Sequence, residues 1–538
     1  MIEILPSVLT FISENPLFSG LILVIIGGLF GLYLSKLPKK RQNRQLIKAH
    51  KYLDKGYAKR AKIIFSQILM DNKEDETLSS KAYVGRALTY LYNNDQDLNR
   101  AINDANDALK RNNENGDAYI IRGRAYSLKR EHSLAIIDFT EAMEHATIRL
   151  QDAFLYRGIE YYILEDYDHA IEDFNNALVI NPKDKVTLGN RGVVYYKKGE
   201  FNLAISDFNH VLKSKPIDIM SLNNRGVVYT EKGDYDKAID DFNKAISIDS
   251  GYTYAYSNRG NVYQSKKNYD LAIEDYNIAI GLNPNYAIAY CNRGNAYSEK
   301  KEHDLAIMDF NMVIKLSPND AIAYYNRGTS YDDKGEHYRA IEDFNKAIDL
   351  NPSLSIAYCN RGNSYYKTGN SDRAIEDYNT AIALNPNFSE AYNNRGNIYI
   401  EKNDFGLAYI DFENAISLEP NYSPAYYNRG TMYILQKNYD SAIMDFTKAI
   451  SLSPDYCTAF CNRGVAYYFK GNHAQAIDDF NKAISIDPYD ISPYCNRSEI
   501  FYNKGDYSQA IEDVKTALRL NPNSTSAKHL LEIINQSK

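Results

Sequence analysis

The chain has 538 residues, of which 24% are charged and 44% hydrophobic, and its net charge is −7. That length exceeds one ordinary domain, so the chain is several domains or a repeat array. The charge is spread along it, which leaves no basic face for nucleic acid and no acidic tail. Five cysteines are too few, and odd in number, for a disulfide framework.

Residues 17–34, LFSGLILVIIGGLFGLYL, carry no charged side chain. A helix of that length spans about 27 Å, close to the roughly 30 Å hydrocarbon core, so residues 17–35 read as one transmembrane helix. Lys36, Lys39, Lys40, Arg41 and Arg44 follow it, and only Glu3 and Glu14 precede it. The positive-inside rule then places residues 1–16 outside and everything after the basic segment 36–41 in the cytoplasm. A cleaved signal peptide would need basic residues before the run and small residues after it, and neither is present. Gly27 and Gly31 have the spacing of a helix-dimer face, which allows self-association, although glycine is also common in membrane helices.

Beyond residue 150 the dipeptide Arg-Gly recurs at Arg157, Arg191, Arg225, Arg259, Arg293, Arg327, Arg361, Arg395, Arg429 and Arg463, every 34 residues, and Arg497-Ser498 completes the series. Earlier copies stand at Arg122-Gly123 and, more loosely, at Arg86-Ala87, with short insertions between them. Residues 321–354 make the clearest copy. Numbered from one, they place Tyr324 at position 4, Gly328 at 8, Tyr331 at 11, Ala340 at 20, Phe344 at 24, Ala347 at 27 and Pro352 at 32. Gly328 and Ala340 are small where two helices must approach. Lys334-Gly335 ends the first helix with a left-handed cap, and Asn351-Pro352 stops the second.

This pattern resembles the tetratricopeptide repeat (TPR), a helical hairpin that cannot stand alone and is stabilised by stacking. The resemblance implies an all-α, right-handed α-solenoid superhelix of about fourteen hairpins. Three divergent repeats fill residues 42–150 and eleven regular ones fill 151–524; residues 525–538 form a capping helix. In this family the first helices line the concave surface and hold partners.

Two departures carry information. Position 7, usually leucine in the family, is arginine in thirteen repeats, and position 23 is aspartate in the same thirteen. Arg327 with Asp343, and Arg361 with Asp377, are therefore expected to form bidentate ion pairs between the two helices of a hairpin. An arginine ladder for acidic ligands is the competing reading, but the matching aspartates would neutralise it. Position 6 is asparagine in ten consecutive repeats: Asn190, Asn224, Asn258, Asn292, Asn326, Asn360, Asn394, Asn428, Asn462 and Asn496. Position 9 adds Asn261, Asn295, Asn363 and Asn397, and position 5 adds Asn223 and Asn393. Helical spacing puts positions 2, 5, 6, 9, 12 and 13 on one face. An amide offers two donors and an acceptor, so this row can satisfy the backbone of an extended polypeptide. It is similar to the asparagine ladder that lines the superhelix of some family members. Packing of each asparagine on the neighbouring repeat is an equal reading.

Cys291, Cys359, Cys461 and Cys495 occupy position 5, with Cys457 one turn before Cys461. They lack the spacing of a metal site and read as small residues on a helix face. His132, His303, His337 and His473 recur at position 17 and read as surface residues. No phosphate loop, dinucleotide fingerprint or nucleophile elbow is present, so neither cofactor, metal nor catalysis is expected. The reading is a non-enzymatic, membrane-tethered scaffold whose array lies in the cytoplasm and holds extended peptides or proteins in its groove. The alternative is an outward-facing array serving envelope assembly or surface attachment.

Overall fold

The computed structural model describes residues 41–71, 75–92, 97–145 and 149–536. Among these residues every regular element is helical. Twenty-nine helices run from α1 (Arg41–Asp54) and α2 (Ala58–Asp71) to α29 (Thr525–Gln536).

One hairpin shows why the elements begin and end where they do. The Asp320 carboxylate accepts from the N–H groups of Ile322 at 2.9 Å and Ala323 at 3.2 Å, which caps the helix Ala321–Asp333. That helix ends at Gly335, whose φ is +80°. There the N–H groups of Gly335 and Glu336 donate back to the carbonyls of Asp332 and Tyr331, both at 2.9 Å, in a Schellman-type closure. The second helix, His337–Leu350, stops before Pro352, and Asn351 turns the chain by accepting from Ser353 N–H at 3.2 Å. Between the two helices Ala323, Ala340, Phe344 and Ala347 are fully buried. A Cβ on Gly328 would lie 2.9 Å from Phe344 Cε1, so glycine is what lets the ring fill the gap.

The described helices fall into two compact units, one up to residue 262 and one from residue 263. Within each unit, substantial contacts join only adjacent and next-but-one helices, the quasi-one-dimensional packing of an α-solenoid. The start of the first unit differs from the rest. There one apolar core runs continuously from Leu46 to Ala125, whereas later hairpins such as those of Tyr378, Phe412 and Phe446 hold small clusters around one aromatic ring. Neighbouring hairpins are also tied at their turns. The ammonium of Lys198 reaches Asp168 at 2.6 Å, and Lys300, Lys334 and Lys402 repeat the contact with Asp270, Asp304 and Asp372.

The expected single-pass membrane location is corrected here: among the described residues no helix is long and apolar enough to cross a membrane. The expectation rested on residues 17–35, and those residues, with Gly27 and Gly31, lie outside the described part of the chain.

Candidate functional site: the exposed stripe of the first helices

At 100° per residue, positions 2, 6, 9 and 13 of a first helix fall within about 60° of one another. In Ala321–Asp333 this stripe is Ile322, Asn326, Thr329 and Asp333. Its two ends are exposed and its middle is half-buried, while Ala323, Gly328 and Ser330 are buried on other sides. Position 5 departs from the sequence reading. Asn223, Asn393, Cys359 and Cys461 are buried, because position 5 leans into the joint between repeats.

The arginines hold this stripe from behind. Arg327 Nε and Nη2 donate to the two carboxylate oxygens of Asp343 at 2.7 and 2.6 Å, and Arg361 does the same to Asp377 at 2.8 and 2.7 Å. The same fork recurs in both units, from Arg86–Asp104 and Arg122–Asp138 to Arg497–Asp513. All these aspartates are buried. Burial pushes the carboxyls of Asp104, Asp138, Asp173, Asp309, Asp377 and Asp411 up, against the pull of their arginines. The pairs therefore fix geometry more than they add net stability.

Sequence reasoning missed the third arm of each guanidinium. Arg327 Nη1 donates to Asn311 Oδ1 at 2.5 Å, and Arg361 Nη1 to Asn345 at 2.6 Å. Both acceptors sit at position 25 of the preceding repeat, so one arginine joins three helices. The signal was present in the recurring Asp-Phe-Asn and Asp-Tyr-Asn triplets. In one repeat Glu413 replaces the asparagine, and Arg429 is held between Glu413 and Asp445.

The position-6 asparagines lie half-buried along the stripe. Most of their hydrogen bonds reach the preceding repeat. Asn258 and Asn428 donate to Asn223 and Asn393 at 2.9 Å. Asn360 and Asn462 donate to the hydroxyls of Tyr325 and Tyr427 at 3.1 Å, and Asn496 donates to Cys461 Sγ at 3.6 Å. Asn326 and Asn394 reach position 9 of the preceding repeat, at Asn295 (3.2 Å) and Asn363 (3.0 Å), and Asn326 also faces Cys291 Sγ at 3.9 Å. Asn190 bonds within its own helix, to the Val186 carbonyl at 3.0 Å, and Asn224 accepts from Asn223. Asn292, Asn261 and Asn397 are half-buried on the same stripe. Each bond to a neighbour uses one N–H. At Asn258, Asn360, Asn428 and Asn462 the amide is thereby held in one orientation, with a second N–H and a carbonyl oxygen left over; Asn326 Nδ2 faces both Cys291 and Asn295, and the Asn394 oxygen accepts from Asn393.

The other candidates are placed as follows. Burial pushes the Cys291 and Cys461 thiols up to about 11 and about 12, so position 5 supplies weak acceptors rather than nucleophiles. The position-17 histidines are half-buried against neighbouring helices, not free on the surface: His132 Nδ1 lies 2.7 Å from the buried Glu160, and His337 Nδ1 lies 2.7 Å from Asp332. Glu141, Glu144 and His145 stand close enough together to share an ion, but they sit at ordinary i, i+3 and i+4 helix spacing and Glu144 is exposed.

Stacked hairpins with a 34-residue period, and an asparagine at position 6 of ten consecutive first helices, define a helical-repeat scaffold. Matches to the tetratricopeptide repeat cover residues 152–184, 219–252, 253–286, 287–320, 321–354, 355–388, 389–422, 423–456 and 458–490, with further TPR matches at 187–218 and 492–524. The chain belongs to the tetratricopeptide-repeat family. No curated protein matches it. Among solved structures, the Cut9–Hcn1 hetero-tetramer of the APC/C is similar at 16% identity, over 94% of this chain and 98% of that one, with a TM-score of 0.54. That likeness shows the fold alone. MamA is 29% identical over 30% of this chain and 94% of its own, with a TM-score of 0.28. YrrB, a TPR protein with an unusual peptide-binding site, is 22% identical over 34% and 95%, with a TM-score of 0.30.

Proposed function

We propose that this protein is a non-enzymatic scaffold that holds an extended stretch of a partner protein along the first-helix stripe of its regular repeats. The observation that carries this reading is the asparagine row. Each amide bonded to the preceding repeat is oriented before a ligand arrives, so little side-chain entropy remains to be lost on binding. Its remaining donor and acceptor match the N–H and C=O groups of an extended backbone, which have no partners of their own. Such a row reads main chain and leaves side-chain preference to the flanking positions 2 and 13. Extended binding surfaces of this kind are how solenoid repeats work in general.

Affinity capture with the full chain tests the reading. The same capture is run with Asn360, Asn394 and Asn428 changed together to Ala. Partners held on the stripe are lost from the variant, while its circular dichroism stays that of the parent. Retention of every partner by a folded variant contradicts the reading.

A further inference from the structure

In the second unit the two ends of the stripe differ in chemistry. At position 2, Ile288, Ile322 and Ile356 form three consecutive apolar side chains, 39%, 46% and 39% exposed. At position 13 of the same and following repeats stand Glu299, Asp333 and Glu401, all exposed. These carboxylates have little cationic company. Glu299 takes a hydrogen bond from the Tyr269 hydroxyl at 3.4 Å, and Glu401 takes one from the Tyr366 hydroxyl. His303 Nδ1 stays 4.0 Å from Asp333. The lysine that breaks the acidic series, Lys367, is 2.7 Å from Asp332 and is neutralised by it. The rim therefore keeps a net negative charge, opposite an uncovered apolar row.

We infer that the stripe of residues 287–401 takes an extended segment in which apolar side chains alternate with lysine or arginine; this rests on the reading of the stripe as a binding face. Positions 2 and 13 are separated by eleven residues, about 16 Å along the helix. A chain laid across successive first helices between those positions sends alternate side chains to opposite sides. One set meets Ile288, Ile322 and Ile356, and the other meets Glu299, Asp333 and Glu401. The asparagines between them take the main chain. An acidic segment would place its carboxylates against the rim, where like charges repel.

The test is titration of the full chain with short peptides of alternating Val and Lys, Val and Ser, or Val and Glu. The Val–Lys peptide binds most tightly, and its affinity falls as salt rises. Changing Glu299→Gln, Asp333→Asn and Glu401→Gln together weakens Val–Lys binding by about tenfold and leaves Val–Ser binding unchanged. Ile288→Ser, Ile322→Ser and Ile356→Ser together weaken both. Glu342→Gln with Glu376→Gln, exposed on the second helices, changes neither. If Val–Glu binds as tightly as Val–Lys, or the three carboxylate changes have no effect, the inference is overturned while the stripe remains a binding face. If no alternating peptide binds at all, both the inference and the reading beneath it fall.

Discussion

The first helices before residue 164 and those from residue 287 onward share a fold, yet they treat the same stripe in opposite ways. In the early repeats the stripe is consumed by the protein's own charges. Arg149, buried at the start of the helix Leu150–Ile163, lies 3.3 Å from Asp117 at position 2 of its neighbour. Its charge is also felt by His50 and Asp54 of α1. Arg124, at position 9, lies between the rings of Tyr92 and Tyr156, 5.5 and 5.1 Å from their centroids, and donates to Tyr92 Oη at 3.1 Å. From residue 287 to 401 the same positions carry isoleucine, asparagine, threonine, carboxylates and Lys367, and Asn326, Asn360 and Asn394 are tied to the preceding repeat. Internal salt bridges make the early region a fixed end. The later region keeps hydrogen-bonding capacity at Asn360, Asn428 and Asn462.

The comparison can be broken most severely at what the two regions share. Arg122→Ala and Arg327→Ala each leave a buried carboxylate without its cation, and each costs about 3–5 kcal/mol in denaturant unfolding. Replacing the partner as well, with Arg327→Met and Asp343→Leu, restores most of that. A large effect in one region and none in the other would show that the arginine fork is not a common frame.

Acid separates the regions next. His50 is buried edge-on to Phe65 at 5.0 Å, and burial followed by the Arg149 charge lowers its pKa from 6.5 to about 3. Near pH 7 the ring is neutral whether folded or unfolded, and its full contribution is present. Below 6.5 the unfolded chain takes a proton that the folded hairpin refuses until about pH 3, so stability is lost as pH falls through that window. The loss is about 2 kcal/mol by pH 5. Hydrogen exchange of α1 and α2 accelerates accordingly, exchange in residues 287–486 does not follow, and His50→Leu removes the dependence.

A smaller effect lies at the hairpin turn, where both regions mix glycine with other residues, Gly56 and Glu165 early, Gly335 and Lys437 late. Position 15 is left-handed in the described repeats, with φ +62° at Glu165 and +80° at Gly335. Glu165→Gly stabilises the early region by about 1 kcal/mol, and Gly335→Ala destabilises the later one by a similar amount, both read as shifts in thermal midpoint. The smallest expected difference lies within the asparagine row. Asn428→Ala costs about 1 kcal/mol because it strands the buried Asn393 carbonyl oxygen. Asn190→Ala, whose bond stays in its own helix, costs less than about 0.5 kcal/mol.

The solenoid was legible because its determinants are local and repeat. Gly328 needs the ring of Phe344 sixteen residues on, Gly335 needs a positive φ, and a 34-residue step shows both at once. Contacts between repeats were much less legible. Asn311 could bond within its helix or to any neighbour, and only packing shows that it accepts from Arg327. Position 5 shares the helical wheel with the exposed stripe, but a lean of some tens of degrees buries it. The histidines at position 17 look like surface residues beside a turn, yet His132 and His337 are pressed on Glu160 and Asp332. Arg149 follows an irregular insertion outside the repeat period, so nothing in the pattern marked it as the group that fills the early stripe.

The most direct measurement is photo-crosslinking from one stripe in two places. A photoreactive residue at Asn363, in the middle of the later stripe, is compared with one at Leu128, exposed at position 13 of an early repeat, and one at Glu376 on a second helix. Asn363 captures a co-purifying partner, while Leu128 and Glu376 stay blank. Equal capture from all three, or capture from Leu128 alone, contradicts the account.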